Sequence, residues 1–131
     1  IDTNVIMDII QRREPFFADS YQAFRKAIDN DVECLISASA ATDIFYILRK
    51  AFQSAQKAKD RIEQLSPLVT FAAVQSVDIL PALMRSMPDF EDAVVDAVAE
   101  RNGASYILTR NIKDFAGSSV PAITPTEFLK K

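Results

Sequence analysis

Short apolar segments alternate with helical segments along this chain, and that alternation limits the folds open to it. The strand-like segments are 33–37, 70–75, 106–109 and 120–123, and Ile1-Asp2 has the character of a strand end. The helical segments are 3–11, 15–30, 40–52, 54–68, 77–86 and 89–102, with a further helix after Thr124. Such alternation predicts an α/β fold, a three-layer α/β/α sandwich with a short, mostly parallel central sheet. A length of 131 residues fits one domain over 1–131. We expect its first strand to begin upstream of Ile1.

Capping residues and prolines predict where several helices begin and end. Asp89 is a good N-cap and Gly103 a good C-cap for the helix between them. Thr124-Pro125-Thr126-Glu127 has the form of a capping box with proline at the first helical position. Pro15 is expected to open the second helix, and Pro81 to limit helix 77–86 to its first turn. The expected buried stripe of helix 40–52 is Ile44, Ile47, Leu48 and Ala51.

Residue types that are absent or scarce exclude several kinds of chemistry. The chain has no histidine, which removes Ser-His-Asp and Cys-His catalysis and every His-ligated metal site. Cys34 is its one cysteine, so an internal disulfide is impossible, and a reducing cytoplasm is compatible with it. Two glycines argue against a glycine-rich phosphate loop. No apolar run of about 20 residues is present, so we expect no membrane span.

Acidic residues follow the strands, where ligand sites form in parallel sheets. Asp2 ends the first strand, and Asp43 lies one turn into the helix after the second. Asp92 lies in the first turn of a later helix, and Asn111 and Asp114 follow the strand that ends at Thr109. Helical spacing places Asp43 on an apolar stripe, where an unpaired carboxylate is costly. Mutual repulsion among these carboxylates favours a divalent cation, and all-oxygen ligands favour Mg²⁺ or Mn²⁺.

Each carboxylate also has a structural interpretation. Asp2 could be a turn residue, and Asp114 could cap a turn. Asp89, Glu91 and Asp92 could simply stabilise a helix N-terminus, where negative charge is worth about 0.3–1 kcal/mol. Asp96 and Glu100 could form a solvated edge.

The ordered set of motifs resembles the PIN domain family, and most closely its bacterial VapC-type toxins. The resemblance is carried by residues 1–5 (IDTNV), 90–94 (FEDAV) and 106–115 (YILTRNIKDF). It implies a metal-dependent endoribonuclease whose metal is held by Asp2, Asp43 and Asp92. It further implies that Asn4 orients the first aspartate and that Thr109 supports the site. Asp96, one turn after Asp92, is added as a supporting residue.

Two positions depart from the family pattern. The second acidic position is usually glutamate and here is Asp43, which is one methylene shorter. The fourth is usually aspartate after Thr-Arg and here is Asn111, an amide that ligates only through its carbonyl. We expect Asp114 to substitute for it as a metal ligand and catalytic residue.

The resemblance also implies partners: an RNA substrate, a cognate antitoxin protein and a second copy of the chain in a homodimer. Basic residues near the motifs are candidates to contact the RNA backbone, although ordinary surface charge is the alternative for each. These are Arg12, Arg13, Arg49, Lys50, Arg110 and Lys113.

Three other functions compete with a nuclease. Residues 1–5 also resemble the nucleophile motif of haloacid dehalogenase phosphatases, but Asn4 stands where that chemistry needs a second aspartate. A receiver domain is disfavoured because Asp43 lies inside a helix. The main alternative is a PIN fold without catalysis that serves as a nucleic-acid or protein binding module, which the Asn111 substitution suggests.

Overall fold

The structure is a computed structural model that describes residues 1–131. Four short strands and seven α-helices alternate in it. In chain order they are α1 (Thr3–Ile10), α2 (Phe17–Asp29), β1 (Leu35–Ser37), α3 (Ala38–Phe52), α4 (Ala55–Leu65), β2 (Thr70–Ala72), α5 (Ser76–Met84), α6 (Phe90–Arg101), β3 (Ile107–Leu108), β4 (Ala122–Ile123) and α7 (Pro125–Leu129). Short 3₁₀ helices at Ser66–Leu68 and Ile112–Phe115 complete the chain. No helix is both long enough and apolar enough to cross a membrane.

The strands form two parallel pairs that the first two residues join. β1 pairs with β2, and β3 pairs with β4. The Ile1 ammonium donates to the Leu35 carbonyl at 2.7 Å, and the Asp2 N–H donates to the Leu108 carbonyl at 2.9 Å. Ile1 and Asp2 therefore lie between β1 and β3 as the end of a central strand would. The predicted parallel α/β architecture is confirmed, with strands shorter than the apolar segments suggested.

Two core clusters separate the helices into layers. Ile36 of β1 belongs to a cluster with residues of α1, α2, α3 and α4. Ala72 of β2 belongs to a second cluster with residues of α5 and α6. Because side chains alternate between the faces of a strand, helices cover the short sheet on both sides. This arrangement brings the N-termini of α1 and α6 and the first turns of α3 toward one end of the sheet.

Most predicted helix ends are confirmed. The Asp89 side chain accepts from the Asp92 N–H at 3.0 Å and so caps α6. Gly103 follows α6 with φ +68°, a left-handed conformation in which glycine is favoured. The capping box of Thr124 and Glu127 is formed at the start of α7.

Two predictions about where helices begin and end are wrong. α5 runs through Pro81 to Met84 rather than ending in its first turn. Proline removes one helical hydrogen bond there, but α5 is held to α6 by the Asp78–Arg101 ion pair, whose closest atoms are 2.8 Å apart. α2 begins at Phe17, two residues after Pro15.

The buried stripe of α3 is narrower than predicted. Ile44 and Leu48 are buried, whereas Ile47 and Ala51 are exposed. Ile47 is exposed because it lies at the edge of a polar cleft rather than over the core.

Candidate metal centre

One acidic cleft collects residues that are far apart in the sequence. Its volume is about 420 Å³. Its lining consists of Asp2, Thr3, Asn4, Asp43, Tyr46, Ile47, Asp89, Glu91 and Asp92. The starts of α1 and α6 and the first three turns of α3 supply all of these side chains. The three carboxylates expected to bind metal, Asp2, Asp43 and Asp92, therefore line the same cleft, and Asn4 lines it with them.

Thr109 holds Asp2 in place at the base of the cleft. Thr109 is fully buried, and its Oγ1 donates to Asp2 Oδ2 at 2.8 Å. The same Oγ1 accepts from the Asn111 N–H at 3.0 Å. The Asp2 backbone is tied to β3 as well, so both its main chain and its carboxylate have fixed positions. A supporting role for Thr109 would require such a hydrogen bond, and the role itself stays a prediction.

Asp92 lies in a strongly negative environment. Burial, and after it the negative charges of Asp89, Asp2, Asp114 and Glu91, together raise the pKa of Asp92 to about 7. A carboxylate that is hard to ionise in this way is stabilised in its charged form by a nearby cation. The pKa of Asp92 therefore indicates a place in the cleft where positive charge is lacking.

Asp43 does not lie where helical spacing suggested. It is exposed on the wall of the cleft, not packed against apolar neighbours, so that prediction is wrong. The reason is that Asp43 lies on the same side of α3 as Ile47, which is itself at the edge of the cleft. A hydrogen bond with Asp43 raises the pKa of Glu91, and burial adds to the effect.

Glu91 and Asp89 are cleft residues that sequence reasoning missed. Both were assigned only to the helix N-terminus, and Asp89 does cap α6. Successive residues around a helix N-terminus point in different directions, so Asp89, Glu91 and Asp92 surround one opening. The available signal was their closeness to Asp92, since three acids in four residues exceed what one cap requires.

Asn111, at the fourth position of the family pattern, and Asp114, its expected substitute, lie at the margin of the cleft. Asn111 is partly buried and is fixed through its N–H to Thr109. Asp114 lies on the 3₁₀ helix Ile112–Phe115 and is exposed. Asp114 is close enough to raise the pKa of Asp92, but neither it nor Asn111 lines the cleft.

Asp96 lies in the interior and outside the cleft, and its supporting role stays a prediction. It is fully buried, so the solvated edge is wrong. Its carboxylate accepts from the N–H groups of Ser119 and Val120 at 2.8 and 2.9 Å. Arg85 Nε lies 2.8 Å from it as an ion pair, without the alignment of a hydrogen bond. Asp96 joins α6 to the loop before β4 and does not line the cleft, because its oxygens are occupied by that loop.

Arg110 forms an ion pair with the buried Asp8, so the charge of its guanidinium is used within the chain. Its guanidinium donates to both oxygens of Asp8, at 2.8 and 3.2 Å, and lies 4.1 Å from the centre of the Phe16 ring. Asp8 is fully buried, and sequence reasoning missed it. Its signal was an aspartate within the apolar α1, which requires a partner.

The other basic candidates fall into two groups. Arg13 Nη1 lies 4.0 Å from Asp8, and its Nε donates to Gln11, so its charge is also used within the chain. Arg12 lies over the Phe17 ring at 5.8 Å. Arg49, Lys50 and Lys113 are exposed, and none of them takes part in a salt bridge.

The donors of the cleft fit a divalent cation in their chemistry. They are carboxylate and amide oxygens, the ligands that Mg²⁺ and Mn²⁺ prefer. No three carboxylates are already close enough together to enclose an ion. Binding of an ion would therefore require these side chains to move closer together.

A second cavity, of about 300 Å³, lies away from these acids. It is lined mainly by apolar side chains of α2, α6 and the strand edges, such as Phe24, Val98 and Ile107. It lacks the converging polar groups that catalysis requires. The acidic cleft is therefore the candidate site.

Comparisons with known proteins agree with the motifs and the fold. The family model described as PIN domain matches residues 1–113. Ribonuclease VapC1 of Aquifex aeolicus (strain VF5) is 26% identical, in an alignment that covers 100% of this chain and 92% of that protein. No solved structure matches the chain. The chain therefore belongs to the PIN domain family and is VapC-like.

Proposed function

We propose that this chain is a single PIN domain that hydrolyses RNA phosphodiester bonds as a Mg²⁺- or Mn²⁺-dependent endoribonuclease. The observation that carries the proposal is the acidic cleft, which Asp2, Asp43 and Asp92 line together and in which the buried Thr109 is bonded to Asp2. Similarity to a protein named as a ribonuclease supports RNA as the substrate.

The residues predicted for the metal site have separate tasks in the proposed reaction. Asp2 holds the ion from a fixed position, because Thr109 orients its carboxylate. Asp92 provides oxygens from α6 and Asp43 from α3. Asn111 and Asp114, at the margin, orient the attacking water or complete a second ion site. Asn4 lines the cleft beside Asp2 and helps to orient it.

The ion supplies what the side chains lack. When bound, it offsets the charge of the phosphate and makes a water more acidic, so no histidine is needed. The carboxylates alone would repel an RNA phosphate, and their negative charges raise the pKa of Asp92. The chain's own contribution is to hold these oxygens, and through them the phosphate, in one orientation.

The direct test measures Mn²⁺ binding and RNA cleavage in the same protein. Calorimetry should detect Mn²⁺ binding that Asp2→Asn weakens at least tenfold, and the same change should abolish cleavage of an unstructured RNA. Asp60→Asn is the matched control, because Asp60 is exposed on α4 and does not line the cleft. Absence of Mn²⁺ binding, together with cleavage that Asp2→Asn leaves unchanged, would overturn the proposal.

A binding module without catalysis is the second candidate. Two observations favour it: Asn111 occupies a position that is usually acidic, and no three carboxylates enclose an ion. This candidate predicts RNA or protein binding that is indifferent to Mn²⁺ and to Asp2→Asn. Measuring Mn²⁺ binding and RNA cleavage in the wild type and in Asp2→Asn separates the two candidates.

The biological role we propose is that of a toxin in a toxin–antitoxin pair, acting in the cytoplasm. An antitoxin would cover the acidic cleft with basic side chains of its own. Co-purification from the native operon should recover a small partner that protects the cleft from Mn²⁺. A gene with no such neighbour would count against the toxin role while leaving nuclease activity open to its own test.

A further inference from the structure

An exposed aromatic side chain stands at the edge of the acidic cleft. Tyr46 follows Asp43 by three residues on α3 and lines the cleft with it. It is 63% exposed, and its ring makes a T-shaped contact with Phe45 at 5.4 Å. A single exposed tyrosine is ordinary on a protein surface. Its position beside carboxylates that would hold the ion for a reacting phosphate is what gives Tyr46 a candidate task.

Unpaired cations follow Tyr46 on the same helix. Arg49 and Lys50 lie three and four residues after it, and both are exposed. Neither takes part in a salt bridge. Residues at this spacing share one side of a helix. Tyr46, Arg49 and Lys50 therefore form a continuous surface, here named the α3 ridge, that leads away from the cleft.

The dimensions of the α3 ridge suit a nucleotide chain. At 1.5 Å per residue, Tyr46 lies about 4.5 Å along the helix axis from Asp43, and Lys50 about 10 Å. The order of groups along this line is carboxylate, aromatic ring and positive charge. A phosphate held by an ion on the carboxylates would place its neighbouring base near the Tyr46 ring. The next phosphate would then lie near Arg49 and Lys50.

We propose that the α3 ridge binds the nucleotide next to the scissile phosphate, with its base stacked on Tyr46 and the following phosphate paired with Arg49 or Lys50. The inference rests on the proposed ribonuclease function and adds the residues that position its substrate. Stacking on an aromatic side chain requires an unpaired base, since a base inside a duplex has both faces covered. Because every base has a π-face, Tyr46 contributes affinity without strict sequence preference.

The test follows stacking directly. A short single-stranded RNA that carries the fluorescent base 2-aminopurine is bound to the Asp2→Asn protein, in which cleavage is prevented. Binding should quench the fluorescence, and Tyr46→Phe should preserve both the quenching and the affinity. Tyr46→Ala should abolish the quenching and weaken binding roughly tenfold. Lys50→Ala should weaken binding and lower the salt dependence by about one phosphate contact.

Matched controls separate stacking from loss of structure. Leu68→Ala removes a side chain that is 46% exposed on the 3₁₀ helix Ser66–Leu68 and does not line the cleft, so RNA binding and quenching should be unchanged. Tyr46→Ala made as a single change, with the native Asp2 in place, should keep the wild-type Mn²⁺ affinity and melting temperature. A duplex of the same sequence should bind equally well with and without Tyr46.

The outcomes distinguish failure of the α3 ridge proposal from failure of the proposed ribonuclease function. If Tyr46→Ala binds single-stranded RNA with unchanged affinity and quenching, the α3 ridge is not the binding surface, even if the wild-type protein cleaves RNA. If quenching depends on Tyr46 but the wild-type protein never cleaves RNA with Mn²⁺ present, the nuclease proposal fails and the ridge remains an RNA-binding surface. Duplex binding that depends on Tyr46 would also overturn the stacking assignment.

Discussion

At the scale of single residues, the candidate site depends on one carboxylate that is fixed and others that repel one another. Asp2 is held by Thr109 and by the backbone of β3. Asp43, Asp89, Glu91 and Asp92 line the same cleft, and no basic side chain lines it with them. Such an arrangement is unfavourable by itself and becomes favourable when a divalent ion binds, because the ion converts repulsion into ligation.

Thr109→Val tests the role of the hydrogen bond to Asp2. Valine has nearly the shape of threonine but cannot donate, so Asp2 should lose its fixed orientation. We expect Mn²⁺ affinity to fall roughly 10- to 100-fold, as is usual for groups that orient metal ligands. Calorimetry gives the measurement, and Thr70→Val on the exposed edge of β2 is the control. Unchanged Mn²⁺ affinity would show that Thr109 serves only the local fold.

Asp92 should make the stability of the metal-free protein depend on pH. The ordinary pKa of an aspartate is 3.8, and in the folded protein the pKa of Asp92 is about 7. Between these values the folded state keeps a proton that the unfolded state releases, so the free energy of unfolding falls as pH rises from about 4 to about 7. In EDTA, the melting temperature should fall over this range more steeply for the wild type than for Asp92→Asn. Asp60→Asn should keep the wild-type slope, and identical slopes for wild type and Asp92→Asn would contradict the prediction.

At the scale of elements, buried ion pairs hold the pieces that carry the site. Asp8 of α1 is bound by Arg110, which follows β3. Asp96 of α6 binds the loop before β4. Asp78 of α5 is paired with Arg101 of α6, and this pairing lowers the pKa of Asp78. Each contact links a helix to a distant segment, so the positions of Asp2 and Asp92 depend on pairs that do not themselves line the cleft.

Arg110→Ala tests whether this arginine serves the fold or RNA. The change leaves the buried carboxylate of Asp8 with only a distant contact to Arg13, 4.0 Å away. Removing one partner of a buried pair costs about 3 kcal/mol, to be measured as the free energy of unfolding in urea. Lys113→Ala, which alters an exposed side chain, should stay within about 0.5 kcal/mol of the wild type. If Arg110→Ala instead keeps wild-type stability and loses RNA affinity, the original assignment as an RNA contact is right.

At the scale of the whole molecule, the notable surface is an apolar one on α5. Val77, Leu80, Leu83 and Met84 are exposed there, each by 60% or more. Only the opposite side of the helix, with Asp78 and Ala82, is buried. The homodimer implied by family resemblance needs such a surface, since a two-fold axis pairs the same patch on both copies.

Leu80→Glu should therefore reduce dimerisation. Two copies of the new carboxylate would face each other across the axis and lose water, which opposes association. Light scattering during size exclusion should show a wild-type dimer and a largely monomeric variant with unchanged melting behaviour. Leu68→Glu, on the exposed 3₁₀ helix, is the control. A monomeric wild type, or a variant that dimerises as well as the wild type, would show that this surface does not join two copies.

Local sequence patterns determined much of what the structure contains. Caps such as Asp89 and Thr124 act through neighbours in the chain, so their hydrogen bonds can be predicted from a few residues. The order of apolar strands and helices determined the parallel α/β architecture, and the spaced motifs identified Asp2, Asp43 and Asp92. The shortness of the strands could not be predicted, because strand length depends on which neighbours supply hydrogen bonds.

Tertiary structure alone decided which charges are free. Arg110 and Lys113 look alike in the sequence, yet Arg110 is half-buried and paired with Asp8, whereas Lys113 is exposed. Likewise, Asp96 and Glu91 both lie near Asp92 in α6, but only Glu91 opens onto the cleft. The reason is physical: a charge is satisfied by whatever partner folding brings within about 4 Å, and those partners come from 102 residues away for Arg110 and 23 or 24 for Asp96. Sequence therefore determined the elements and the acidic set, and long-range packing selected which acids line the cleft.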